Sequence, residues 1–156
     1  CNTVISACEK GHRWEVAVAL LGWLPGLRLE PDVVSYNATI SACEKPGESG
    51  QALGLLRQMQ EAALRPDAIS YSAAISACEK SGQQWARAAW LLVADLPDER
   101  LEADVVSHNS AISACEKGRE WARALQILAG MLSAAVEPDG VTCNAAVSAC
   151  GGARRG

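Results

Sequence analysis

The sequence predicts an all-α protein, a helical-repeat solenoid of stacked antiparallel helix pairs. Three observations predict it. The pentapeptide Ser-Ala-Cys-Glu-Lys occupies residues 6–10 and returns at 41–45, 76–80 and 113–117, with a decayed copy at 148–152. Its cysteines, Cys8, Cys43, Cys78, Cys115 and Cys150, are spaced by 35, 35, 37 and 35 residues, a period typical of small units that contact only their neighbours. Each period carries two stretches with apolar residues at helical spacing.

The units run over residues 1–32 (truncated), 33–67, 68–104 (two residues longer), 105–139 and 140–156 (first helix only). The first helix of each unit, helix A, spans about 34–45 in the second copy. Tyr36, Ile40 and Cys43 form one apolar stripe. It recurs as Cys1, Ile5, Cys8, then Tyr71, Ile75, Cys78, then His108, Ile112, Cys115, then Cys143, Val147, Cys150. Asn37, Ser41, Glu44 and Lys45 share about one third of the helix circumference on the other side. That polar face repeats in the other copies.

A short turn with Gly or Pro leads into helix B. Trp121, Leu125, Leu128 and Leu132 form its stripe in the fourth copy, Trp85, Ala89, Leu92 and Leu96 in the third, and Trp14, Val18 and Leu21 in the first. In phase with leucines, these tryptophans are expected in the core. Ser49 replaces the tryptophan in the second copy, which should pack more loosely. Pro25 and Pro97 should shorten or kink their helices. Of the two extra residues, one is expected in the turn near Gln83, the other within 96–101. Units end in Glu-Pro-Asp or a close variant, at Asp32, Asp67, Asp104 and Asp139. Proline stops helix B, and the aspartate stands where it can cap the next helix A.

Composition narrows the function classes. With 49% hydrophobic and 21% charged residues the chain is not a disordered one. Phenylalanine is absent and small aliphatic residues dominate, which suits closely packed helices. No run of 18 apolar residues occurs, so no membrane-spanning helix is expected. A net charge of −4 disfavours a partner held chiefly by electrostatics, such as duplex DNA, but allows a local lysine row. Seven cysteines and two histidines contain no Cys-x-x-Cys pair, so neither a metal nor another cofactor is expected. Equivalent atoms of stacked helices lie about 10 Å apart, beyond the ~7 Å that a disulfide tolerates. The repeated thiols are expected as small buried residues in a reducing compartment. The chain opens inside a repeat and is expected to be a fragment of a longer protein.

Catalytic signatures are missing: no nucleophile elbow, phosphate-binding glycine loop or deaminase motif is present, and an enzyme is not expected. What remains is the repeated polar face. Asn2, Asn37, Ser72 and Asn109 stand 30, 30, 32 and 30 residues before Asp32, Asp67, Asp104 and Asp139.

The period, the Val-Val-Ser-Tyr-Asn start of helix A and the Glu-Pro-Asp unit end resemble the pentatricopeptide repeat proteins along essentially the whole chain. The helix A signature of the related tetratricopeptide repeats is missing. The resemblance implies a right-handed solenoid in which each unit reads one base of single-stranded RNA. Carried over, the base readers are Asn2 with Asp32, Asn37 with Asp67, Ser72 with Asp104, and Asn109 with Asp139. Asn144 holds the same place in the last copy but has no closing aspartate. The resemblance makes Val34, Ile69, Val106 and Val141 wedges against base faces, and Lys10, Lys45, Lys80 and Lys117 phosphate contacts. The last copy has Gly152 at the lysine position and should not read a base; the first lacks its wedge and should hold its base less well.

The chemistry supports such reading. Unpaired RNA exposes its base edges to a repeat scaffold. An ionised aspartate only accepts hydrogen bonds, so it suits the ring N–H of uracil or guanine. Asparagine fills the space beside a pyrimidine, and serine leaves room for a purine. The family's code gives U for Asn–Asp and G for Ser–Asp, hence 5′-UUGU-3′. The resemblance also implies a role in RNA maturation in a chloroplast or mitochondrion, with protein partners from a processing complex. A helical scaffold that binds a protein segment in the same groove is the alternative.

Overall fold

The computed structural model describes residues 2–96 and 101–152 of the 156, and the side chains of all of these but Asn2 and Gly152. The stripe position at Cys1 and the kink expected at Pro97 lie outside the described residues. Helix pairs follow one another: α1 (Asn2–Lys10) and α2 (Trp14–Trp23), α3 (Val33–Glu44) and α4 (Ser49–Glu61), α5 (Ala68–Ser81) and α6 (Trp85–Trp90), α7 (Val105–Lys117) and α8 (Trp121–Ser133), then α9 (Gly140–Gly152). No strand occurs among the described residues. Helices α1, α3, α5, α7 and α9 form one row, each packed on the next. Each B helix lies against its own A helix and the following one, closing a second layer.

The A-helix stripes of the second, third and fourth units make the core; in the last copy Cys143 and Val147 are exposed, and Ala145, Ala146 and Ala149 are buried instead. Ile40, Cys43, Tyr71, Ile75, Cys78, Ile112 and Cys115 are fully buried, and Tyr36 and His108 nearly so. Each buried isoleucine contributes about 1.5–3 kcal/mol. Burial also pushes the thiols of Cys43, Cys78 and Cys115 up to about 11, so they stay protonated and inert. The helix is buried more widely than one stripe. Thr39, Ala74 and Ala111 are fully buried, as are Ala42 and Ala77, with Ala114 almost so. Small residues on both flanks let the A helices approach closely, and Thr39 spends its hydroxyl on the Ser35 carbonyl.

Helix B keeps the expected stripe in the third unit, where Ala89, Leu92 and Leu96 are buried, and departs from it in the fourth. In α8 the buried residues are Ala124, Ile127 and Met131, while Trp121, Leu125 and Leu132 are 46%, 39% and 61% exposed. The stripe led by the tryptophan faces the next unit, of which the described residues include α9. One unit earlier the equivalent Trp85 is half-buried, with its ring against Gly118 in the following turn; a Cβ there would lie 2.3 Å from Cδ1 of the indole. Trp14 is half-buried too. Ser49, in the tryptophan's place, is buried beside Ala52, Leu55, Leu56 and Met59. Pro25 ends α2 early and opens a short 3-10 turn, Pro25–Leu27.

The long unit absorbs its extra residues in two places. One lengthens α5 and its turn, as expected. The second lies inside helix B, in a π turn at Leu91–Asp95 that follows α6. The Leu101 N–H bonds the Leu96 carbonyl at 3.0 Å, the closure also made by Leu64 on Met59 and Val136 on Met131. The segment from Leu96 onward therefore has ordinary length, which corrects the placement within 96–101. A π turn takes in one residue without breaking the helix. Trp90 Nε1 donates to Asp95 across it at 3.0 Å. The A–B turns use left-handed residues, His12, Gly47, Gly82 and Arg119. Only Gly47 also faces a close approach: its Cβ would stand 3.1 Å from the Lys80–Ser81 backbone.

Candidate functional site

The site follows from how each A helix begins. Asp32, Asp67 and Asp104 have extended backbone just before α3, α5 and α7, and each carboxylate accepts from the third backbone N–H of its helix. Asp139 does the same for α9, accepting from Thr142 at 2.9 Å. The expected capping role holds, and it fixes these carboxylates at the seams between units.

The asparagine comes to the carboxylate from the preceding A helix. Asn37 Nδ2 donates to both oxygens of Asp67, at 3.0 and 3.1 Å. Asn109 Nδ2 donates to both oxygens of Asp139, at 3.1 and 3.2 Å. Residues 30 apart in sequence thus share one polar cluster. Ser72 is too short to bond Asp104; the two line one shallow groove with Ile69, Ser41 and Glu44. Asp32 caps α3 through Ser35, at 2.8 Å; the Asn2 side chain lies outside the described residues. The backbone N–H and then the hydroxyl of Thr142, with a smaller contribution from the Asn109 amide, outweigh desolvation and hold the Asp139 carboxyl below its ordinary range. It is the ionised acceptor at neutral pH.

Four aliphatic side chains flank these seams in the open. Val34, Ile69, Val106 and Val141 are 57%, 61%, 57% and 60% exposed, each two residues after its aspartate. β-Branched residues repeatedly left in solvent beside a polar pair can lie flat on a planar ring.

The lysines are less free than the sequence suggests. Lys80 Nζ reaches Glu44 of the preceding unit at 2.6 Å, and Lys117 reaches Glu79 at 2.5 Å. Lys45 lies 3.4 Å from the His12 ring, and Lys10 is exposed. Sequence reasoning also missed two hydroxyls, Ser70 and Thr142, which touch both members of each Asn–Asp pair. The signal was present as a hydroxyl three residues after each aspartate, the capping-box spacing.

A sequence model described as the PPR repeat family matches residues 31–80, and one described as a pentatricopeptide repeat domain matches residues 91–153. The chain belongs to the pentatricopeptide repeat family. Solved structures of that family superpose along nearly all of it. PPR10 in complex with an 18-nt psaJ RNA element aligns at TM-score 0.77 and 27% identity, covering 98% of this chain and 22% of that one. PPR10 from maize gives 0.82 and 21%, over 99% of this chain and 22% of that one. The PPR domain of Arabidopsis thaliana protein-only RNase P 1, in complex with tRNA, gives 0.84 and 13%, over 97% and 79%. This chain thus spans about a fifth of the PPR10 chain. No curated protein sequence matches it. Among the described residues no helix is long and apolar enough to cross a membrane.

Proposed function

We propose that the chain is a sequence-specific module for single-stranded RNA that reads one base per unit and carries no catalysis of its own. The pairing of Asn37 with Asp67 and of Asn109 with Asp139, beside the exposed Val34, Ile69, Val106 and Val141, carries this reading. A pyrimidine ring edge-on to such a pair meets an amide donor and a carboxylate acceptor. Uracil answers both with a carbonyl and its ring N–H, whereas cytosine presents a lone pair to the carboxylate. At the third seam the shorter Ser72 leaves space for a purine, and Asp104 accepts the ring N–H of guanine. The site is 5′-UUGU-3′, from Asn2–Asp32 through Asn109–Asp139. The RNA-bound relatives lend the reading further support. Unit limits follow the aspartates, at 32, 67, 104 and 139. Service in organelle RNA processing, stability, editing or translation, in a chloroplast or mitochondrion, belongs to the same proposal.

Aliphatic wedges hold each base by about 1–2 kcal/mol, the low end for stacking. Four bases then give about 4–8 kcal/mol, a millimolar to micromolar Kd. The test is fluorescence anisotropy with short RNAs containing UUGU, UUAU or UUCU at two salt concentrations. The proposal expects UUGU to bind best. Equal binding of all three would reduce the site to a lysine row without a code. Absence of binding by a chain that circular dichroism shows to be helical would favour a protein-binding scaffold. The observation on that side is an apolar groove of about 580 Å³ between helices B of the third and fourth units, lined by Leu92, Leu96, Ile127 and Val136.

A further inference from the structure

We propose that Ser70 and Thr142 are positioning residues that decide how the neighbouring asparagine faces a base. The inference rests on the reading of the Asn–Asp pairs as base readers. The Ser70 hydroxyl accepts from the Asp67 backbone N–H at 3.1 Å. Its single proton is shared between the Asn37 amide oxygen, at 2.5 Å, and Asp67 Oδ1, at 3.0 Å. Thr142 repeats this arrangement at the other seam, with Asn109 Oδ1 at 2.5 Å and Asp139 Oδ1 at 2.9 Å. Both hydroxyl-bearing residues are buried.

The consequence is chemical. A primary amide offers a donor and an acceptor, and rotation by half a turn exchanges them. Here the carboxylate claims one Nδ2 proton and the hydroxyl occupies the oxygen. The second Nδ2 proton is the group left for a ligand, so the pair presents one donor and one carboxylate acceptor. That pattern complements uracil. With the hydroxyl removed, the amide oxygen can turn outward and accept the exocyclic amine of cytosine, and discrimination between the two pyrimidines falls. The third seam supplies an internal control. Ser107 gives its backbone N–H to Asp104 at 2.8 Å, but among the described residues its hydroxyl bonds neither Asp104 nor Ser72.

The experiment compares UUGU with UCGU, which differ at the base facing Asn37 and Asp67. Ser70→Ala is expected to lower the U-over-C ratio about fivefold, the value of one hydrogen bond near 1 kcal/mol. Ser70→Thr should keep the wild-type ratio, since Thr142 already does this work. Ser107→Ala should leave the ratio unchanged while losing a similar helix-start hydroxyl. An unchanged ratio in Ser70→Ala, or an equal fall in Ser107→Ala, overturns the proposal. A second readout needs no RNA: NMR of the Asn37 side-chain amide. Ser70→Ala should shift its resonances and speed its exchange with solvent, and Ser107→Ala should do neither; an Asn37 amide indifferent to Ser70→Ala overturns the positioning role. A wild-type chain blind to all bases would sink the base-reading proposal, and the amide measurement would still decide whether Ser70 holds Asn37.

Discussion

At the seam between α3 and α5 the closing aspartate is held from three directions; at the seam between α5 and α7 it is held, among the described residues, from one. Asp67 accepts from the Ser70 backbone, the Ser70 hydroxyl and the Asn37 amide. Asp104 accepts from the Ser107 backbone. Both cap their helices, and the difference comes from one position, Asn37 against Ser72. The longer amide spans the seam and recruits the hydroxyl; the shorter side chain leaves an open groove. One side-chain length thereby sets the width of the groove and the stiffness of the acceptor together.

The largest way to break this comparison is to remove each aspartate. Asp67→Ala should cost about 2 kcal/mol and Asp104→Ala about 1, because only the first also strips an asparagine of its partner. Urea unfolding would show it, and equal losses would mean that the amide adds nothing. Next, Ser72→Asn should make the third seam resemble the second. Preference should move from UUGU to UUUU by about tenfold, or 1.4 kcal/mol, read by competition binding. A smaller effect concerns the lysines. If Lys80 and Lys117 keep their glutamates when RNA binds, two phosphate contacts remain and the log–log salt slope is about −1.4. Glu44→Gln with Glu79→Gln should steepen it to about −2.8 and raise affinity by about 0.5 kcal/mol per site. The smallest effect lies just upstream of the two asparagine seams, where Ala63 and Ala135 hold φ of 57° and 55°. Glycine at either should stabilise the fold by roughly 0.3 kcal/mol, relief of left-handed strain offset by chain entropy. Thermal melts of the double variant would detect it.

The period made much of this legible. Helix pairs, the burial of Ile40, Ile75 and Ile112, and the capping aspartates all follow from patterns within one unit. Features that depend on two units at once were harder to see. Trp121 is in phase with leucines yet 46% exposed, while Trp85 in the same place lies against Gly118 of the following unit. Glu44 and Lys45 read as neighbours on one helix, but Glu44 pairs with Lys80, one unit on. The direct Asn37–Asp67 bonds needed the packing of α3 on α5, which spacing alone does not contain. The π turn was hidden because a single extra residue leaves apolar periodicity nearly intact on both sides.

That turn has a wider meaning for how such a chain keeps count. Downstream of Leu91–Asp95, Leu101 closes on Leu96 and Asp104 arrives at its seam as though nothing had been added. The ruler is the contact surface between helices, and the number of residues is only its usual shorthand. Insertions that bulge within helix B leave the next aspartate at its seam. The same insertion between Leu101 and Asp104 has no helix to absorb it and would displace Asp104 from its own seam, while the later units keep their register through helix contact.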